Sequence, residues 1–241
     1  MNLAGVSEAV GALRQARQGE ESVLLAPEVA EALRRVLPAD EITFNDLDLR
    51  ACYSTVLGLV PCGAEERHGA FWLHFWDTQT CTYTERVPRL RDEVMMTSDF
   101  YSVRQWHSTG MYTDCLGPDG IENSLIMPLP SLPGIARRLV FFRGPGRSFG
   151  EAERATAVVL QPHIADALRT QSRYAAARLL TARQRQLLAL VAAGHDNITI
   201  ARQLGLSPAT VRTHLENTFA RLGVSSRTEA VAKTCPDATW R

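Results

Sequence analysis

The segment Leu204–Leu215, which reads LGLSPATVRTHL, constrains the fold more than any other part of this sequence. One helix is expected to end at Gly205, and a tight turn follows it. Ser207 and Pro208 predict the start of a second helix, because a serine side chain caps free N–H groups and proline fits the first helical position. The segment therefore predicts two helices joined by a short turn.

The second of these helices has an apolar back and a polar front. Bulky apolar residues share one face at spacings of four, four and three: Val211, Leu215, Phe219 and Leu222. The opposite face carries short or polar residues: Ala209, Arg212, Thr213 and Glu216. A helix of this kind, launched from a turn after a shorter helix, is typical of a helix-turn-helix. An ordinary small helical bundle is the alternative.

The surrounding sequence resembles the LuxR-type (NarL-type) helix-turn-helix family. The resemblance runs through matching groups of residues: Leu180–Arg183, Ala192–Gly194, Asn197, Ile200–Ala201, Thr210–Leu215, Leu222–Val224 and Arg227–Ala230. It implies an all-α domain of four helices that is dimeric on DNA and places its third helix in the major groove. The sequence departs from the family at Gln184 and Gln186, at Ile198-Thr199 and at Glu216, and the last departure bears on base preference.

Seven residues around the second helix are predicted to contact DNA. The resemblance implies base contacts at Arg212 and Thr213, and arginine can bond both acceptors of a guanine edge. Glu216 either accepts a hydrogen bond from cytosine N4 or is a solvated carboxylate beyond the groove. Four residues flank this face with groups that can bond phosphate oxygens: Ser207, Thr210, His214 and Asn217.

A single recognition helix reads few base pairs, so we expect a homodimer on a two-fold DNA site. The last helix, Thr228–Thr234, offers small apolar contacts at Ala230, Val231 and Ala232, and in the resembling family this helix pairs across the dimer axis. The helix from Glu151 to Arg169 is a second candidate interface. An activator of this kind would also have RNA polymerase as a partner.

Charge is unevenly distributed along the 241 residues, although the chain is neutral overall. Residues 179–233 contain seven basic and three acidic residues, whereas residues 1–178 contain eighteen basic and twenty-two acidic ones. The positive excess of the C-terminal part favours contact with phosphates. The larger N-terminal part lacks the charge expected of a polyanion-binding domain.

Cysteine content and hydropathy predict a cytoplasmic protein. Five scattered cysteines without a CxxC pair argue against a disulfide framework and against a zinc site. The N-terminus lacks the pattern of a signal peptide, and no apolar stretch approaches the ~20 residues of a membrane span. We therefore expect no membrane association, no cofactor and no metal.

The N-terminal part predicts an α+β domain with a central antiparallel sheet. Helices are expected over Ser7–Arg17, Pro27–Leu37, Ala64–Trp76, Ser98 to about Cys115 and Glu151–Arg169, the last bent or broken at Pro162. Strand pairs are expected over Ile42–Asp48 with Cys52–Val60, and Glu122–Leu129 with Ala136–Arg143; Cys81–Met96 reads as irregular. This order of elements resembles a GAF- or PAS-type sensor domain. The predicted domains are residues 1–170, a helical linker over 171–178, and residues 179–241.

Aromatic residues are concentrated between Phe71 and Tyr112, where nine of the seventeen in the chain occur. Such side chains form either the walls of a ligand pocket or an aromatic-rich core. As a pocket, the walls would be Trp72, Trp76, Tyr83, Tyr101, Trp106 and Tyr112, with Arg104 and His107 as polar anchors. Both interpretations remain open at the level of sequence.

The sequence excludes several common partners of such a DNA-binding module. A phosphorylated receiver domain needs a lysine, and the only lysine is Lys233; a nucleotide-binding P-loop needs a Gly-Lys pair, which does not occur. No GxSxG, HExxH or CxxC motif that would predict an enzyme occurs in the sequence. His107 or Cys115 with Asp99 or Asp114 are candidate catalytic pairs by residue type alone.

The sequence therefore predicts a DNA-binding transcriptional regulator, dimeric and responsive to an unidentified small molecule, with no enzymatic activity. The alternatives are an acyl-homoserine-lactone receptor and a regulator whose N-terminal domain only dimerises.

Overall fold

The computed structural model describes residues 3–16, 24, 26–58, 75, 93–131 and 134–234. The chain forms two compact units, which divide between Ala165 and Asp166. The first unit is an α+β domain and the second is entirely helical. The predicted fold classes of both parts are confirmed, and the likeness of the first to GAF or PAS domains stays a prediction.

Within the described residues, the first unit is built on a five-stranded antiparallel sheet in the order β2-β1-β5-β4-β3. The strands are β1 (Glu41–Asp48), β2 (Tyr53–Gly58), β3 (Met95–Met96), β4 (Asn123–Leu129) and β5 (Ile135–Arg143). Helices α1 (Leu3–Ala16) and α2 (Pro27–Val36) precede the sheet and pack on each other. The two predicted hairpins are present and are joined side by side through β1 and β5.

Both faces of the sheet are covered at its centre. Successive side chains of a strand point to opposite faces, so Ile42 and Phe44 share one face while Thr43, Asn45 and Leu47 share the other. All five are buried. Two polar side chains, Thr43 and Asn45, therefore lie in the interior on the second face.

The segment between β3 and β4 differs from the single helix predicted from Ser98 to Cys115. It consists of a 3-10 turn (Thr97–Asp99), a short helix α3 (Val103–His107) and a π-helical turn (Met111–Leu116). Ser102 caps α3, accepting a hydrogen bond from the Gln105 N–H at 3.4 Å. At the other end, Ser108 and Thr109 hydroxyls bond back to the carbonyls of α3, which favours ending the helix.

Met95 and Met96, predicted as irregular, form strand β3, because their backbone pairs with Leu125 and Ile126 of β4. A two-residue strand is too short to give an alternating pattern in the sequence. The helix predicted over Ala64–Trp76 and most of the segment 81–96 lie outside the described residues.

Helix α4 (Glu151–Arg178) runs for 28 residues and belongs to both units. The segment predicted as a linker, 171–178, is the last part of this helix. Pro162 lies inside it without a break in the helical backbone, although proline removes one helical hydrogen bond. Near Pro162, the Gln161 side chain donates to the Pro128 carbonyl at 2.7 Å and ties the helix to β4.

The second unit contains the four predicted helices, α5 (Ala182–Ala192), α6 (Asn197–Leu204), α7 (Pro208–Leu222) and α8 (Arg227–Thr234). Its core is a single apolar cluster to which every one of these helices contributes. The fully or almost fully buried members include Leu187, Leu188, Ile200, Val211 and Ala230. This packing holds α6 and α7 in a fixed relation to each other.

Candidate nucleic-acid interface and sensor-domain core

The turn between α6 and α7 is held by local contacts. Gly205 ends α6 in the left-handed conformation (φ 65°), where a side chain would be strained, and the Leu206 N–H closes the turn on the Ala201 carbonyl at 2.9 Å. Ser207 then caps α7: its Oγ accepts from the Thr210 N–H at 3.1 Å. The start of α7 is therefore fixed by three residues of the sequence motif.

The other helices of this domain are capped in the same way. Thr181 and Gln184 form a reciprocal capping box at the start of α5, with hydrogen bonds of 3.2 and 3.0 Å. Gln184 thus performs the capping role that a glutamate would have. Asp196 caps α6, and the Thr199 N–H that its carboxylate accepts lowers the pKa of Asp196.

The back of α7 is buried as the sequence predicts, with one addition. Val211, Leu215 and Leu222 lie in the core, and Phe219 packs against it. Thr218 is also fully buried, and its hydroxyl donates to the His214 carbonyl at 2.7 Å. That internal hydrogen bond is what allows a polar residue in the core, and sequence spacing alone gives no signal of it.

The front of α7 is an exposed face made of polar or short side chains. Ala209, Arg212, Thr213, Glu216 and Asn217 are exposed, as are Ser207 and Thr210, whereas His214 is half-buried. Arg212 Nε lies 2.9 Å from Glu216 Oε1, one turn further along. The Arg212 and Glu216 side chains therefore lie side by side along the exposed face. Whether each of the seven residues contacts DNA stays a prediction.

Several basic residues of this domain have structural partners. Lys233 Nζ donates to the carbonyl that ends α7, that of Leu222, at 2.7 Å. Arg183 donates to the Leu204 carbonyl at 2.7 Å, and Arg227 donates to the His195 carbonyl and to Asn197. Several of the basic side chains counted in the sequence therefore donate hydrogen bonds within the domain, so not every one of them is available to contact DNA phosphates.

The last helix is only partly available for a dimer contact. Ala230 is fully buried in the domain's own core, and Val231 packs against that core. Ala232 is exposed, as is Thr228. Of the three small residues predicted to contact a partner, only Ala232 is thus exposed. Ala230 faces the core of its own domain, and Val231 packs against that core.

In the first unit, Trp106 is the centre of a buried cluster. It is 7% exposed and packs with Leu47, Phe75, Met111, Cys115, Leu116 and Ile121. Tyr101 and Tyr112 flank it, with ring centroids 5.5 and 5.9 Å from the Trp106 ring. These three aromatic residues lie together, and their role as walls of a ligand pocket stays a prediction. Trp72, Trp76 and Tyr83 lie outside the described residues.

The two predicted polar anchors lie on the exposed side of α3. Arg104 is exposed, and His107 is exposed, stacks on Tyr112 at 4.2 Å and bonds Glu122 at 3.1 Å. On a helix of 100° per residue, positions two before and one after the inward-facing Trp106 point away from the cluster. Arg104 and His107 are therefore placed as surface residues rather than as anchors inside the cluster.

Asn45 and Arg138 are two buried polar residues on the sheet face beside this cluster. They are direct cross-strand partners on β1 and β5 and are 4% and 9% exposed. The Arg138 guanidinium lies 4.9 Å from the centre of the Phe75 ring, a member of the Trp106 cluster. Sequence reasoning missed both, because β1 is buried on both faces and its pattern does not mark which residues meet the cluster.

The residues considered for catalysis have other partners. Asp99 bonds Arg154 and the Met96 N–H, and Asp114 bonds the Thr113 hydroxyl. Burial raises the pKa of the Cys115 thiol, which keeps it protonated. Among the described residues, no three histidine, cysteine or acidic side chains are grouped to hold a metal ion, and none of the described helices has a run both long and apolar enough to cross a bilayer.

The capped helix pair, with a polar face on the second helix and an apolar back in a four-helix core, defines a helix-turn-helix DNA-binding domain. The family profile described as bacterial regulatory proteins, luxR family, matches residues 178–234. The C-terminal domain of this chain belongs to that family.

Curated relatives are similar over the same region. The monoamine regulon transcriptional regulator of Klebsiella aerogenes is 41% identical over 93 residues, which are 38% of this chain and 40% of that protein. The probable transcriptional regulatory protein SgaR of Hyphomicrobium methylovorum is 53% identical over 53 residues, 22% of this chain and 25% of its own length. The chain thus spans less than half the length of these relatives.

Among solved structures, that of the VqsR LBD domain from Pseudomonas aeruginosa is similar with a TM-score of 0.46 and 18% identity, covering 68% of this chain and 94% of that one. At this level of similarity a shared ligand or mechanism does not follow.

Proposed function

We propose that this chain is a sequence-specific, DNA-binding transcriptional regulator that acts as a homodimer and responds to a small molecule. The observation that carries the proposal is the front of α7: a polar, exposed face on a rigidly held helix of a luxR-family domain. This face fits the major groove, and the N–H groups at the start of α7 favour phosphate. Such a protein acts in the cytoplasm, where an activator would contact RNA polymerase.

The residues are assigned roles by their chemistry. Arg212 and Thr213 read base edges, and Ser207, Thr210, His214 and Asn217 contact phosphates from the flanks. Glu216 positions Arg212 through their hydrogen bond of 2.9 Å. None of these roles requires catalysis, and we propose no enzymatic activity.

Selection of DNA from a random library by the purified full-length protein tests this function. We expect enrichment of a two-fold site whose half-sites lie about one helical turn apart, ~34–36 Å. Sedimentation of the protein with and without the selected duplex measures the dimer. Selection of no preferred sequence by a folded protein would overturn the proposal, and a monomer on the selected duplex would remove the dimer from it.

Regulation by a small molecule is supported by the unusual interior of the first unit. Asn45 Oδ1 and Trp106 Nε1 are buried here without a hydrogen-bond partner among the described residues, which costs stability and favours a role in binding. Helix α4 belongs to both units, so a change at its first half can reach the DNA-binding domain. The acyl-homoserine-lactone receptor is one version of this function; a domain that only dimerises is the alternative, and ligand binding distinguishes them.

A further inference from the structure

The exposed side of helix α4 is apolar between residues 155 and 162. Val158 is 50% exposed and Val159 is 37% exposed, and the neighbouring Ala155 and Pro162 are exposed as well. At ~100° per residue, these four side chains fall within an arc of about 100° around the helix. Apolar residues scattered singly over a surface are ordinary, whereas a contiguous group of them marks an interaction surface. We call these four residues the apolar stripe of α4.

An acid–base pair lies at each end of the apolar stripe. Before it, Arg154 Nε lies 3.1 Å from Glu151 Oε1, and after it, Arg169 Nη2 lies 3.8 Å from Asp166 Oδ1. The side chains of Glu151, Asp166 and Arg169 are more than half exposed, and Arg154 is half-buried. In both pairs the acid precedes the base along the chain. Exposed pairs of this kind stabilise a single helix little, so their charges remain accessible to a second charged surface.

These charges are arranged symmetrically about Leu160. Glu151 and Arg169 lie nine residues before and after it, about 13.5 Å along the helix axis, and Arg154 and Asp166 lie six residues before and after it. In an antiparallel pair of α4 helices related by a two-fold axis near Leu160, each acid is therefore level with a base of the second copy. A parallel pair would instead place every charge level with its own kind. The charge pattern is thus complementary to itself when two copies of α4 are antiparallel.

The apolar stripe has the same symmetry. Val158 and Pro162 lie two residues before and after Leu160, so antiparallel pairing brings Val158 of one copy level with Pro162 of the other. Packed helices approach to about 8–10 Å, which small side chains such as Ala155 and Val158 allow. A second copy of the chain therefore matches both the apolar and the charged parts of this face.

We propose that two copies of the chain dimerise by antiparallel packing of their α4 helices, with the apolar stripes in contact and Glu151 of each copy paired with Arg169 of the other. The proposal rests on the proposed function, since it names the surface that forms the homodimer. It assigns this role to α4 rather than to the last helix, α8, whose Ala230 is buried in the core of its own domain.

A matched pair of valine substitutions tests the apolar stripe. Val158→Glu should raise the dimer dissociation constant of the full-length protein by about tenfold or more, because it places a carboxylate in an apolar contact. Val103→Glu is the control, because Val103 is 64% exposed on α3 and lies outside the stripe; it should dimerise normally. Sedimentation over a dilution series measures both constants, and thermal melting checks that both variants fold. Equal dimerisation of the two variants would overturn the proposal.

Charge reversals test the pairing and its direction. Glu151→Arg and Arg169→Glu should each weaken the homodimer, because like charges then face each other at both ends of the interface. An equal mixture of the two variants should recover dimerisation, since both facing pairs in the mixed dimer have opposite charges. A general loss of folding cannot produce this recovery. Failure of the mixture to dimerise better than either variant alone would overturn the proposal.

The same measurements keep this proposal distinguishable from the proposed function. A wild-type dimer that resists all three substitutions in α4 while selecting a two-fold DNA site counts against this surface alone. A wild-type monomer, both free and on the selected duplex, counts against the surface and also removes the dimer from the proposed function. A monomeric wild type that melts higher than Val158→Glu would show the apolar stripe to be covered within one chain, which would also overturn the proposal.

Discussion

The two domains are held together by contacts of very different range. In the C-terminal domain, the side chains that begin each of three helices bond backbone N–H groups three residues away, at Thr181, Asp196 and Ser207. In the N-terminal domain, Arg143 donates to the Pro38 carbonyl across 105 residues, and Arg137 pairs with Asp46 across 91. The local contacts that specify structure are thus prominent in the C-terminal domain, whereas the N-terminal domain is specified by pairing between distant segments.

The interiors differ in a second way. The buried polar side chains of the C-terminal core, Thr218 and Thr234, satisfy themselves by donating to carbonyls of their own helices at 2.7 Å. The N-terminal interior includes Asn45 and Trp106, whose polar atoms have no such partner within the described residues. The two cores therefore differ in how their buried polar groups are satisfied.

A large loss of stability is expected for Trp106→Ala, because it removes the centre of the N-terminal cluster. The cost should be about 3–5 kcal/mol of unfolding free energy, measured by denaturant titration. Trp106→Phe keeps a ring and removes the unpartnered N–H, so it should cost much less. A folded Trp106→Ala protein of near-normal stability with altered regulation would instead indicate an open pocket.

The long-range contacts of the N-terminal domain can be tested at Arg143. Its side chain is 9% exposed, lies 4.0 Å from the Phe149 ring centre and bonds Pro38, Ser148 and Glu153. Arg143→Met should cost about 1.5–3 kcal/mol, since it removes the charge-assisted hydrogen bonds that a buried guanidinium makes to two carbonyls and to Glu153. Arg147→Met, which breaks only the exposed pair with Asp40, is the control and should melt almost normally. Equal losses of stability in Arg143→Met and Arg147→Met would contradict the greater importance given to the buried contacts of Arg143.

A smaller effect is expected at a local contact of the C-terminal domain. Ser207→Ala should cost about 1 kcal/mol by removing the cap of α7, whereas Ser207→Gly should cost only a few tenths. Both are measured by thermal melting of the full chain followed by circular dichroism. A loss as large as that of Trp106→Ala would mean that this domain is not locally specified.

The smallest effect concerns pH and Asp196. Hydrogen bonds from Thr199 lower the pKa of this cap, so its stabilising effect is present above the unfolded pKa and is lost as the pH falls through the lower folded value. Asp196→Asn retains a good cap but cannot titrate, and should flatten the acid end of the stability profile below about pH 4. An unchanged profile would show that Asp196 does not contribute to it.

The difference in range also explains how much could be predicted. The turn at Gly205, the cap at Ser207 and the buried face of α7 follow from neighbouring residues, and the sequence predicts them. Strand β3 and the meeting of Asn45 with Arg138 depend on partners far along the chain. Arg104 and His107 were predicted as anchors because they are near Trp106 in sequence, whereas the buried polar residues on the sheet face beside the cluster include Asn45 and Arg138, which are distant from it in sequence.

The central claim, that the front of α7 reads DNA sequence, is tested most directly by the affinity of Arg212→Ala for the selected duplex and for a shuffled duplex. We predict that the preference for the selected duplex falls by about 1–3 kcal/mol, because one guanine contact per half-site is lost while the phosphate contacts remain. Equal weakening on both duplexes would contradict the claim and would assign Arg212 to the DNA backbone.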